Sequence, residues 1–156
     1  MIAVVKDVLP EIRPMQHGDL SNVAELESCA YKYPWSIGIF RDCLLADYVS
    51  VVLERNSVVL GYGIMSVAAA EGHLLNLCVD VNFRRRGYGR HLLDYLRKHA
   101  LESGVERLFL EVRASNQAAL DLYENAGFCQ LGVRKAYYKS DTEREDAVVL
   151  VCDINI

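Results

Sequence analysis

The sequence predicts an α/β fold: a mixed, mainly antiparallel sheet with a central parallel strand pair and helices on both faces. Three observations predict it. An apolar run, Glu71–Val79, precedes an amphipathic run from about Tyr88, and a second apolar run, 107–112, comes next. Strand, helix, strand in that order makes a parallel pair with a right-handed crossover. The runs flanking this unit are short, β-rich and separated by tight polar turns, which makes them antiparallel hairpins. Helical periodicity recurs before and after the unit, so helices cover both faces of the sheet.

Taken in order, residues 1–10 read as a flexible extension and 11–15 as a first strand. Asp19 is placed to cap a helix in which Leu20, Val23 and Leu26 recur at helical spacing. Tyr31, Tyr33, Pro34 and Trp35 form an aromatic loop, and Ser36 caps a second helix with Ile37, Phe40 and Leu44 as its stripe. Strands at 49–54 and 58–67 flank the turn Asn56-Ser57. After Glu71–Val79 a helix runs from about Tyr88 to Ser103, where Gly104 supplies a left-handed stop. The strand 107–112 leads to a helix capped by Ser115 or Asn116 and ended by Gly127. Strands 128–138 and 147–154 close the chain around a polar turn, 139–146.

Composition narrows the classes of function. A chain of 156 residues with 52% apolar and 24% charged residues reads as a single globular domain over 1–156. No apolar run reaches membrane-spanning length, and the start of the chain lacks a signal-peptide pattern. Five cysteines with no C-x-x-C pair argue against a disulfide framework or a zinc site and for reduced thiols in the cytoplasm. Four scattered histidines suggest no metal. A net charge of −4 argues against a general nucleic-acid binder.

The chain is organised around Arg84-Arg85-Arg86-Gly87-Tyr88-Gly89-Arg90, between a strand and a helix. Amides at a helix start lack intrahelical partners, and the helix dipole adds positive charge there. Glycine lets a ligand approach the backbone. Four arginines surround the turn, so it reads as a phosphate or pyrophosphate site. The alternative is an ordinary glycine turn with solvated arginines. A P-loop is absent, and Gly61-Tyr62-Gly63 lacks the third glycine of a dinucleotide fingerprint.

A second constellation follows. Along 107–113 the side chains alternate, so Leu108, Leu110 and Val112 face one way and Phe109 and Glu111 the other. Glu111 thus lies near the C-terminal end of a central strand, where α/β sheets bind ligands. It is either a general base or a structural carboxylate paired with Arg113 or a helix N-terminus. Asn116, Ala119 or Leu120, and Tyr123 share one helix face. Tyr123 is either a proton donor or a core tyrosine. Tyr33, Trp35 and Tyr138 either line a slot for an extended peptide or pack over the sheet edge.

The spacing R-x-x-G-x-G, Arg84 to Gly89, resembles the acetyl-CoA pyrophosphate loop of the GNAT N-acetyltransferases. Glu111-Val112-Arg113-Ala114-Ser115-Asn116, Leu122-Tyr123-Glu124 and Gly127-Phe128 look like the bacterial ribosomal-protein-alanine N-acetyltransferases within that family. Tyr33-Pro34-Trp35-Ser36, Asn76, Tyr137-Tyr138 and Arg144-Glu145-Asp146-Ala147 match as well. The resemblance implies transfer of acetyl from acetyl-CoA to the N-terminal alanine amine of a small-subunit ribosomal protein, without a metal. It implies Glu111 as base and Tyr123 as acid. It assigns the backbone of Leu77, Cys78 and Val79 to pantetheine, residues 84–90 to the pyrophosphate, and Asn116 to a further cofactor contact. Lys139 stands where the family pattern has proline, and Arg86 where it has an uncharged polar residue. Another protein N-terminus, a lysine side chain or a small polyamine is the alternative acceptor, and a non-catalytic acyl-CoA-binding module is the alternative class.

Overall fold

The computed structural model describes residues 8–141 and 144–154. Of the expected extension, residues 1–7 lie outside the described residues. Residues 8–10 run against the body: Pro10 is buried, its carbonyl meets the His91 ring, and the Val8 carbonyl accepts from Arg55.

Among the described residues seven strands form one sheet. They are β1 Glu11–Pro14, β2 Val49–Arg55, β3 Val58–Ala68, β4 Glu71–Val79, β5 Arg107–Arg113, β6 Cys129–Tyr138 and β7 Glu145–Asp153, in the order β1-β2-β3-β4-β5-β7-β6. Among the described residues only β4 and β5 run parallel; the other pairs are antiparallel, as the hairpin pattern predicts. The last hairpin folds inward, so β7 lies beside β5 and β6 becomes the edge.

Helices α1 Leu20–Ala30 and α2 Ile37–Leu45 bury Val23 and Phe40 against Val52, Tyr62, Ile64 and Cys78 on one face. Helices α3 Tyr88–Glu102 and α4 Gln117–Asn125 cover the other face, with Leu92, Leu93, Leu96 and Tyr123 over Leu108, Leu110 and Val112. The alternation read along β5 therefore sorts its two faces correctly: Leu108, Leu110 and Val112 are buried, and Glu111 is half-buried on the α1/α2 side. Gly61 and Gly63 belong to this packing. A Cβ at Gly61 would stand 2.7 Å from the Cys78 carbonyl, and one at Gly63 would stand 2.8 Å from Leu96 Cδ1. Gly63 lets α3 lie close on β3, and Gly61 makes room for the β4 backbone.

One cap differs from expectation. Asp19 does not cap α1 through its side chain. It accepts from the Gln16 N–H at 2.8 Å and takes the Arg13 guanidinium in a two-pronged pair at 2.8 and 2.9 Å. A charged fork outcompetes a helix amide for the same oxygens. Ser36 caps α2, and of the two candidates for α4 it is Asn116 that accepts from the Ala119 N–H at 3.2 Å.

Candidate active site

The site begins where β4 and β5 part. Their parallel pairing runs from Glu71↔Arg107 to Leu74↔Leu110 and stops. At that point β4 carries a bulge: Leu74 faces Met65 and Asn76 faces Ile64, leaving Leu75 as the extra residue. A bulge bends its strand. Beyond it, residues 76–79 of β4 are paired with β3 alone, and residues 111–113 of β5 with β7 alone. The split opens a cleft of about 500 Å³.

Several expected site residues line that one cleft: Leu77, Glu111, Asn116, Tyr123, Tyr33, Trp35 and Tyr138. Cys78 and Val79 do not. The Cys78 side chain is buried under α1 and α2, and Val79 packs on the α3 side. The loop 84–90 also lies outside the cleft lining, just past the end of β4. Arg85 (φ 63°) and Gly87 (φ 80°) are both left-handed, and Gly87 is the N-cap of α3 with no side-chain cap. Arg84, Arg85 and Arg86 are exposed and, among the described residues, pair with no carboxylate. Arg86 lies over the Phe83 ring, 5.0 Å from its centroid. Arg90 is held by Asp94 at 2.9 Å, and the Tyr88 side chain is core, with Arg55 over its ring. The open basic face therefore consists of three arginines and the uncapped first turn of α3.

Glu111 pairs with Arg134 at 3.2 Å, not with Arg113. Arg134 comes from β6, two strands away, and no sequence pattern indicated it. The Tyr137 hydroxyl also stands beside Glu111, whose charge raises the phenol's pKa. Arg113 instead braces the cleft mouth. It meets Glu145 at 3.3 Å and lies between the rings of Tyr33 and Tyr138, 5.3 and 4.6 Å from their centroids. Lys32 and the Tyr33 hydroxyl both bind Asp141, joining the aromatic loop to the β6–β7 turn. Burial, and then the Glu111 charge, push the Tyr138 phenol up to about 12.

Tyr123 is buried at 7% exposure, and burial raises its pKa. Among the described residues its hydroxyl has no hydrogen-bond partner, although the residue borders the cleft. Trp35 packs on Phe40 (centroids 5.3 Å apart) and also lines the cleft, so the two readings of that residue coexist.

Sequence reasoning missed Glu27. It lies on α1, is 3% exposed and borders the cleft. Tyr62 Oη and Asn76 Nδ2 donate to its Oε1 at 2.6 and 2.9 Å, and the Trp35 N–H donates to its Oε2 at 2.9 Å. The signal available was a lone glutamate on the apolar side of an amphipathic helix, four residues after Val23.

The strand split thus holds a carboxylate and a phenol in one cleft, with an uncapped helix start and a basic turn just past the end of β4. The chain belongs to the acetyltransferase (GNAT) family, whose model matches residues 20–128, and it is an acetyl-CoA-dependent acetyltransferase. It is 35% identical over 145 residues to the ribosomal protein bS18-alanine N-acetyltransferase of Escherichia coli K12, covering 93% of this chain and 98% of that one. The counterpart in Haemophilus influenzae Rd is 36% identical over 135 residues, covering 86% of this chain and 92% of that one. The crystal structure of the Escherichia coli ribosomal-protein-S18-alanine N-acetyltransferase superposes with a TM-score of 0.88 at 34% identity, over 95% of this chain and 96% of that one. Ard1 from Thermoplasma volcanium shares the fold, with a TM-score of 0.86 at 23% identity over 94% and 98% of the two chains.

Proposed function

We propose that this protein moves acetyl from acetyl-CoA to the α-amine of an N-terminal alanine on a small-subunit ribosomal protein, with Glu111 as general base and Tyr123 as general acid. The observation that carries the chemistry is the pairing, in one cleft at the β4/β5 split, of a half-buried carboxylate with a buried phenol that has no partner among the described residues. The acceptor is supported by the relatives named above, which are alike along nearly the whole chain.

The residues fit the co-substrate. Arg84, Arg85 and Arg86 with the first amides of α3 hold the diphosphate. The edge of β4 that β5 leaves unpaired at Leu77, Cys78 and Val79 offers backbone groups to pantetheine, with the Leu77 carbonyl shared with the Tyr31 hydroxyl at 3.3 Å, and Asn116 keeps its amide N–H₂ for a further contact while its Oδ1 caps α4. Bound acetyl-CoA supplies the acetyl group as an activated thioester. An α-amine, with a pKa near ~8, must lose a proton to become a nucleophile. Glu111 accepts that proton, directly or through a water. A backbone N–H near Val79 faces the oxygen on which charge develops. Tyr123, protonated at neutral pH because burial raises its pKa, hands a proton to the departing sulfur. Positioning in the cleft does the rest.

The test is incubation with acetyl-CoA and three acceptors: a peptide beginning with alanine, a lysine peptide with a blocked N-terminus, and spermidine. Mass spectrometry is expected to find acetyl on the alanine α-amine. Modification of the lysine peptide or spermidine instead overturns the acceptor, and no transfer to any of the three overturns the reading.

A further inference from the structure

Among the described residues four carboxylates line the cleft: Glu27, Glu111, Asp141 and Glu145. Three have a cation beside them. Glu111 has Arg134, Asp141 has Lys32 and Glu145 has Arg113. Glu27 has none among the described residues, and it is the most deeply buried of the four. Its three donors are neutral: a phenol, an amide side chain and a backbone N–H. The titratable groups facing it are Tyr62 from β3, Cys78 from β4 and Tyr31 from the loop after α1. Burial raises all three, so at neutral pH they bring no charge. A carboxylate out of water without a counter-charge is costly, and a cation arriving beside it is correspondingly favoured.

The location also fits an incoming cation. Glu27 and Glu111 lie on the same α1/α2 side of the sheet, since Glu111 points away from the Leu108, Leu110 and Val112 face that packs on α3 and α4. Three hydrogen bonds to two oxygens leave a carboxylate with a lone pair to spare.

We infer that Glu27 is the cleft's receiving site for the acceptor's α-ammonium, holding the charged amine before Glu111 removes its proton. The inference rests on the acceptor being an amine, as proposed above. Glu27 takes no proton in this scheme; it selects a free N-terminus over a blocked one by supplying the missing counter-charge. It also holds the Trp35 amide, so a role as loop anchor alone must be separated from ammonium binding.

Calorimetry in the presence of CoA separates them, with an alanine-leading heptapeptide and its N-acetylated form as probes. In the wild type the free amine is expected to bind about tenfold tighter than the acetylated peptide. Glu27→Gln is expected to erase that preference and leave the acetylated peptide's affinity unchanged. Equal weakening of both peptides makes Glu27 a loop anchor and overturns the inference. The wild type alone gives a second readout should the variant not fold. The free-amine preference is expected to fade between pH 6.5 and pH 9.5, as the α-amine, with a pKa near ~8, loses its charge. A preference that persists at the higher pH overturns the inference. A wild type that neither acetylates nor binds either peptide refutes the proposed function itself, which is a different result.

Discussion

At Glu111 one carboxylate has two prospective partners, an arginine already present and an amine yet to arrive. Arg134 is 57% exposed, and a pair so open to solvent is worth only about 0–1 kcal/mol. It can be displaced at little cost. Glu111→Gln keeps the shape and removes the proposed base, so kcat is expected to fall at least about 100-fold while acetyl-CoA affinity by calorimetry stays near wild type. A variant that turns over at full rate removes Glu111 from the mechanism. Tyr123→Phe deletes a hydroxyl that holds nothing else in place, so its melting temperature should match wild type. Turnover should drop about 10- to 100-fold, read in a thiol-release assay. A loss of stability with unchanged kcat would mean that Tyr123 is packing only.

At the scale of elements, the start of α3 carries the proposed diphosphate site. A helix that lacked such a purpose would be expected to carry serine or aspartate at its cap. Here the cap is Gly87 at φ 80°, behind Arg85 at φ 63°. A Cβ on Gly87 would meet nothing within 4 Å, so the protein has room for a side chain. The obstacle is backbone conformation, since a β-branched residue strongly resists a positive φ. Gly87→Val is expected to cost about 1–2 kcal/mol in chemical denaturation and to weaken acetyl-CoA at least about tenfold by reshaping the turn. Affinity that survives the substitution would show that the phosphates rest elsewhere. The β4 bulge is the matching device on the strand side: one extra residue, Leu75, sits where β4 and β5 cease to pair.

For the molecule as a whole, helices seal both faces of the sheet and leave polar tethers to join its ends. Arg13 is the densest of these, binding Asp19 by two prongs and Glu54 at 2.6 and 2.9 Å, so that β1, β2 and the turn before α1 are tied together. The Arg13 guanidinium holds the Asp19 carboxyl below its ordinary pKa. A depressed folded pKa stabilises the fold above the unfolded value of about 3.9, and that contribution disappears as pH falls through the folded value. Asp19→Asn is therefore expected to cost about 2 kcal/mol at pH 7, and the gap from wild type should close as pH drops below about 4. Parallel stability curves from pH 7 to pH 2, measured by denaturant titration, would remove the ion pair from the stability of the fold.

Local chemistry made much of this protein legible in the sequence. Hydrophobic period, Gly104 and Gly127 at helix ends, and Asn56-Ser57 at a hairpin turn placed the strands and helices, because these signals act within a few residues. Alternation along β5 placed Glu111 on the face away from α3, and helical spacing placed Asn116 and Tyr123 together on the cleft. Only the tertiary structure decided which distant groups meet. The inward fold of the last hairpin, which brings Arg134 to Glu111 across β7, has no local signature. Glu27 reads in sequence as one more helix carboxylate; its meaning comes from Tyr62, Asn76 and Trp35, residues from two strands and a loop that enclose it. Strand order and burial are set by the packing of the whole chain, and a buried charge acquires its role only from what surrounds it.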